Sequence, residues 1–195
     1  MNPVTLAQGD ALLIVDVQKD FLSGGRLGVA GGDLLIPVIN EYIGRFRRAD
    51  LPIYASRDWH PPRHCSFQEQ GGPWPIHCVA GSHGAEFADN LGLSPETRII
   101  SKATGIQRDA YSAFDQTALA SRLRADGIQR LFICGLATEY CVLGSTLGGI
   151  KLGFTTVVLG DAIAAIESHP GDCARALAAM KEAGAVIIAC EEIRT

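Results

Sequence analysis

The chain has no basic run, no membrane-length apolar run, no C-x-x-C pair and no glycine-rich phosphate motif. Each absence removes a class of protein. A nucleic-acid backbone binder needs clustered Lys and Arg. Here the net charge is -4, and the pair Arg47–Arg48 closes a predicted helix, where it offsets the helix dipole on a solvated face. Without about 20 consecutive apolar residues no helix spans a bilayer, so no membrane association is expected. Residues 1–10 lack the basic-then-apolar order of a signal peptide. The six cysteines, Cys65, Cys78, Cys134, Cys141, Cys173 and Cys190, fit no four-cysteine zinc arrangement. They read as mostly buried thiols in a reducing, cytoplasmic setting. No G-x-G-x-x-G or Walker pattern follows any predicted strand, which sets a nucleotide-binding domain aside. No internal repeat or linker is visible.

What is present is an alternation of short apolar runs and helical patterns. With 195 residues, 47% hydrophobic and 19% charged, the chain can bury a sizeable core in one domain. Strands are predicted at Ala11–Val17, Pro52–Ser56, Arg98–Lys102, Arg130–Cys134, Phe154–Leu159 and Ala185–Ala189. Between them, helices are predicted at Asp33–Ala49, with Asp33 as its cap, at Asp115–Asp126, stopped by Gly127, at Glu139–Leu152, and at Pro170–Ala183, followed by Gly184. Continuous apolar strands separated by helices imply a three-layer α/β/α fold with a six-stranded, mainly parallel sheet of Rossmann-like architecture. The small residues around Gly144–Gly149 suit close packing, against the sheet or in a homo-oligomer. One domain is expected over residues 1–195, with a Gly-, Pro- and His-rich functional loop at about 57–97.

Ligands in open α/β sheets bind beyond the carboxyl ends of the strands. Asp16, Arg57, Asp58, Lys102 and the turn Gly135–Ala137 should therefore meet at one cleft. Asp16 interrupts an apolar strand and is costly to bury unpaired, so it is either catalytic or a satisfied structural carboxylate. Lys102 ends the strand R-I-I-S-K, where it either pairs with Asp16 or snorkels to solvent. Cys141 falls in the first turn of a predicted helix. There the dipole favours thiolate and free N–H groups offer an oxyanion hole, against the alternative of a small buried hydrophobe. Asp58, His60, His64 and His77 supply carboxylate and imidazole in one loop. This set either leaves open positions on a metal or merely hydrogen-bonds internally. His83 and His169 lack such context.

Together these residues resemble the isochorismatase-like cysteine hydrolases, and within them the nicotinamidases. The matching pieces are L-I-V-D-V-Q-x-D-F at Leu13–Phe21, R-D-W-H-P at Arg57–Pro61, H-C-S-F at His64–Phe67, G-G-P-W-P-I-H-C at Gly71–Cys78, Lys102, Y-S-A-F at Tyr111–Phe114 and G-L-A-T-E-Y-C-V at Gly135–Val142. The resemblance implies a catalytic triad of Asp16, Lys102 and Cys141. It implies an oxyanion hole from the N–H groups of Ala137 and Cys141, and a cis peptide at Leu136–Ala137. It also implies one divalent ion on Asp58, His60 and His77, zinc first, with iron or manganese as alternatives. Phe21, Trp74 and Tyr111 become contacts to the substrate. His64, Ser66 and Glu69 are expected behind the ligands, orienting them. The implied activity is hydrolysis of nicotinamide to nicotinic acid and ammonia through a cysteine thioester, in NAD salvage. The alternatives are an amidohydrolase for N-carbamoyl or pyrazinamide-type substrates, and a non-catalytic metal-binding domain. Within the resemblance, Cys141 argues against the vinyl-ether chemistry of isochorismatase, and the Asp58/His60/His77 cluster argues against N-carbamoyl substrates.

Overall fold

The computed structural model describes residues 4–194. Residues 1–3 and 195 of the expected domain lie outside the described residues. Strands β1 (Val4–Thr5), β2 (Asp10–Val15), β3 (Ile53–Asp58), β4 (Arg98–Lys102), β5 (Arg130–Leu136), β6 (Thr155–Ala164), β7 (Val186–Ile188) and β8 (Ile193–Arg194) alternate with helices α1 (Gly32–Arg48), α2 (Leu119–Ala125), α3 (Leu143–Lys151) and α4 (Asp172–Glu182). Six strands form one sheet in the order β4-β3-β2-β5-β6-β7, and every pairing is parallel. The α/β/α expectation is borne out. Among the described residues, no helix is long and apolar enough to cross a membrane.

Strand β2 shows why the sheet needs cover on both faces. All six of its residues are buried. Side chains alternate across a strand, so Leu12 and Ile14 join Ile39 and Phe46 of α1. Leu13 and Val15 turn the other way, into a cluster with Leu119 and Leu123 of α2 and Met180 of α4. From β2 the chain builds outward to β3 and β4, then crosses back to build β5, β6 and β7 on the opposite side. The order reverses between β2 and β5, where Val15 is in register with Gly135. A crevice forms at such a reversal.

The structure departs from the sequence expectation at several boundaries. Helix α1 starts at Gly32, after Gly31 with φ 75°, and Asp33 does not cap it. The Asp33 carboxylate instead accepts hydrogen bonds from the backbone N–H and hydroxyl of Ser23. The helix expected from Asp115 starts only at Leu119, because Gln116 sits at φ 56°, outside helical space. Pro170 precedes α4 instead of lying in its first turn. Strands β1 and β8 form a separate parallel pair that two-residue segments do not announce in the sequence.

Candidate active site

Four segments distant in the chain deliver side chains to the β2/β5 crevice. Asp16 follows β2 with φ 50°, and its N–H donates to the Ser56 carbonyl of the neighbouring strand. Its side chain is fully buried, and Oδ1 accepts from the Ser56 hydroxyl at 2.7 Å. Lys102 ends β4 in register with Asp58 of β3, and it too is almost wholly buried. Its Nζ lies 2.5 Å from Asp58 Oδ1, 2.9 Å from the Ala110 carbonyl, 3.0 Å from Asp16 Oδ2 and 3.4 Å from Cys141 Sγ. An oxygen of Asp16, an oxygen of Asp58 and the Cys141 sulfur all lie within 4.8 Å of one another. Acid, ammonium and thiol therefore meet, and the ammonium is held more closely by Asp58 than by Asp16.

Burial dominates the electrostatics. It raises the Asp16 carboxyl, although Lys102 and the Ser56 hydroxyl pull it back. It works against the Lys102 charge too, but Asp16 and Asp58 outweigh it and hold the ammonium well above the ordinary lysine range. It pushes the Cys141 thiol well up, against the lowering effect of Lys102. This burial opposes the thiolate-favouring helix dipole expected from the sequence. Cys141 sits in a π-helical turn, Thr138–Val142, ahead of α3, and the low dielectric around it favours the neutral thiol.

The strand-to-helix turn is shaped by Gly135 at φ 114°, where a Cβ would lie 2.0 Å from the Val15 carbonyl oxygen. Leu136–Ala137 is cis, as the resemblance implied. The Ala137 carbonyl accepts from the N–H groups of Tyr140 and Val142, closing the turn. The Ala137 N–H has no acceptor among the described residues.

Beside Asp16, Lys102 and Cys141 stand Asp58, His60 and His77, all buried, with potential ligand atoms within 4.8 Å of one another. His60 Nδ1 donates to the His77 carbonyl at 3.0 Å, and His77 Nδ1 donates to the Pro75 carbonyl at 2.8 Å. A carbonyl only accepts, so each ring keeps its Nε2 lone pair for another partner. Burial, with help from His77, lowers His60 to about 3, so the imidazole is neutral. Three buried donors, one carboxylate and two imidazoles on neighbouring positions, fit a divalent ion.

His64 stacks on His60 with ring centroids 4.4 Å apart. Its Nδ1 faces the Ser66 hydroxyl at 2.7 Å and its Nε2 faces the Arg108 carbonyl at 3.0 Å. Both nitrogens are engaged, so His64 and Ser66 support the cluster from behind. Glu69 does not join them; it is exposed on the turn Gln68–Gln70.

Phe21, Trp74 and Tyr111 wall a narrow pocket of about 30 Å³ that Asp58, His77, Ala137 and Cys141 also border. A roomier groove of about 810 Å³ runs past Lys19, Asp33 and Asp89. There Lys19 is paired to Asp89 at 2.7 Å and Asp33 is bonded to Ser23, whereas Asp58, His77 and Cys141 border the small pocket.

The model of the isochorismatase domain matches residues 10–192. The chain belongs to the isochorismatase family. Relatives within reach of this isochorismatase-family chain include the nicotinamidase of Escherichia coli, 35% identical over 198 residues, covering 91% of this chain and 93% of that one. Among solved structures, the pyrazinamidase of Pyrococcus horikoshii in complex with zinc is 48% identical, with TM-score 0.89 over 93% of this chain and 99% of that chain. The PnC1 protein of L. infantum in complex with nicotinate is 38% identical, with TM-score 0.91 over 98% of both chains.

This isochorismatase-family site also contains residues that sequence reasoning missed. Leu27, Tyr140 and Ile166 complete the pocket wall. Tyr140 packs edge-on to Trp74, with centroids 5.0 Å apart, and its place beside Cys141 was the available signal. Ile166 follows β6 in no motif and carried none. Gln18 clamps the Asp58 backbone: its Nε2 donates to the Asp58 carbonyl at 2.8 Å, and its Oε1 accepts from the Asp58 N–H at 2.7 Å. Asp20 accepts from the Cys78 N–H at 2.7 Å and so fixes the residue next to His77. Both lie in the Leu13–Phe21 motif, but only the fold shows what they hold.

Proposed function

We propose that this isochorismatase-family protein is a nicotinamidase, hydrolysing nicotinamide to nicotinic acid and ammonia in cytoplasmic NAD salvage. The observation that carries the reading is the buried Asp16–Lys102–Cys141 contact, with the sulfur 3.4 Å from the ammonium, opening on a pocket that Asp58 and His77 share. The similarity to nicotinamidases and to a nicotinate complex supports it.

Asp16 takes the thiol proton as the Cys141 sulfur attacks the carboxamide carbon. The Lys102 ammonium stabilises whichever of the two carries the negative charge, and this matters because burial disfavours both anions. The oxyanion of the tetrahedral adduct faces the N–H groups of Ala137 and Cys141, each such donor being worth about 2.7–4 kcal/mol. Asp16 passes its proton to the departing nitrogen, ammonia leaves and a thioester remains. Water then adds to the thioester with Asp16 as base, the sulfur departs, and nicotinic acid is released. Phe21 and Trp74 flank the flat ring. Asp58, His60 and His77 would hold a divalent ion, zinc in this proposal, which when bound would supply a Lewis-acidic anchor for the ring.

Ammonia release from nicotinamide, pyrazinamide and N-carbamoyl compounds tests the reading. Release is expected from the first two. Cys141→Ala should lower it by about 10⁴-fold or more while leaving bound zinc at wild-type stoichiometry. Release from N-carbamoyl compounds alone, or an active Cys141→Ala variant, would overturn it.

A further inference from the structure

We propose that Glu139 is a positioning residue, clasping the Ile166 wall of the pocket to the turn that carries the nucleophile. Glu139 lies two residues before Cys141, within the π-helical turn. Its Oε1 accepts a hydrogen bond from the Glu167 N–H at 2.7 Å. Glu167 is held at φ 55°, a conformation that costs an L residue energy and persists only when its surroundings impose it. The Glu167 carboxylate in turn accepts from the N–H groups of Gly171 at 2.6 Å and Cys173 at 3.0 Å, around the start of α4. One carboxylate thus ties the turn to the loop, and the next ties the loop to the helix. Ile166, the residue before Glu167, forms part of the pocket wall.

The clasp is specific in its geometry. Glu139 Oε2 is buried and has no partner among the described residues. A glutamate serving only solubility would leave both oxygens in water. Here one oxygen is desolvated without return, and among the described residues the Glu167 N–H is the one polar hold on the carboxylate. The clasp touches no reacting atom. It sets how closely Ile166 stands to the ring, and therefore ring binding, while bond-making stays with Asp16 and Cys141.

This inference rests on the nicotinamide reading of the pocket, so the test carries a substrate-free arm. In E139A, KM for nicotinamide should rise about ten-fold, the effect of one lost hydrogen bond, with kcat within about two-fold of wild type. E139Q keeps an acceptor oxygen and should restore KM. A merely structural role would lower kcat with the folded fraction and leave KM unmoved, and that result overturns the proposal. Independently of substrate, hydrogen exchange at residues 165–171 should quicken about ten-fold in E139A and return towards wild type in E139Q. Unchanged exchange in E139A overturns the clasp. Faster exchange in a wild-type background inert towards nicotinamide would instead overturn the substrate reading and leave the clasp supported.

Discussion

Lys102 has three N–H donors and four acceptors within 3.4 Å: two carboxylates, one carbonyl and a sulfur. Its strand-end position marked it in the sequence, and so did the oddity of an acid in an apolar strand at Asp16. What could not be read was its closer partner, Asp58, through which it also adjoins the Asp58, His60 and His77 cluster. Removing it leaves two buried carboxylates without a cation, a loss of about 3–5 kcal/mol for a broken buried pair. Lys102→Met should therefore lower the urea midpoint as well as abolish ammonia release. An unchanged midpoint would show that Asp16 and Asp58 do not depend on it. Gln18 and Asp20 were equally unreadable. Their partners lie 40 and 58 residues away, and no local pattern encodes a contact at that range.

The turn between β5 and α3 was visible as an element because Gly135 precedes a helical pattern. Its π-helical winding was not, since helical periodicity alone does not separate i→i+5 from i→i+4 bonding. Gly135 is required twice over, by its φ of 114° and by the Val15 carbonyl 2.0 Å from any Cβ. Gly135→Ala should cost about 3 kcal/mol or more, combining backbone strain with overpacking. Gly24, at φ 82° with nothing within 4 Å, is the control, and Gly24→Ala should cost only about 1 kcal/mol. Equal losses in urea denaturation would remove the steric argument. The misplaced helix starts near Asp33 and Asp115 have the same origin. Asp33 found Ser23, and Gln116 adopted positive φ, both through contacts or turns that outcompete propensity.

Across the whole molecule, strand order decides which residues meet. The reversal between β2 and β5 brings Asp16 beside the Gly135–Val142 turn, and the β3–β4 pairing sets Asp58 against Lys102. Asp58, His60 and His77 then tie strand β3 to the long loop, so an ion there should stabilise the entire fold. At a free concentration 100 times its Kd the gain is about 2.7 kcal/mol. For a chain of this size that is a rise in Tm of about 5–10 °C over the chelated protein. Calorimetry with zinc and with chelator checks this. His60→Ala should erase the difference, and a shift that survives His60→Ala would place the ion elsewhere.

By itself the sequence determined the layered parallel architecture and the identity of the polar residues at strand ends. Hydrophobic period, glycine punctuation and short motifs are local, and a local pattern survives being read one residue at a time. Only the tertiary structure decided that Lys102 lies closer to Asp58 than to Asp16, that Cys141 is buried beside both carboxylates, that His64 bonds Ser66 and the Arg108 carbonyl, and that Tyr140 and Ile166 close the pocket. Those outcomes depend on burial and on distances between segments far apart in the chain, and both exist only once the strands have taken their order.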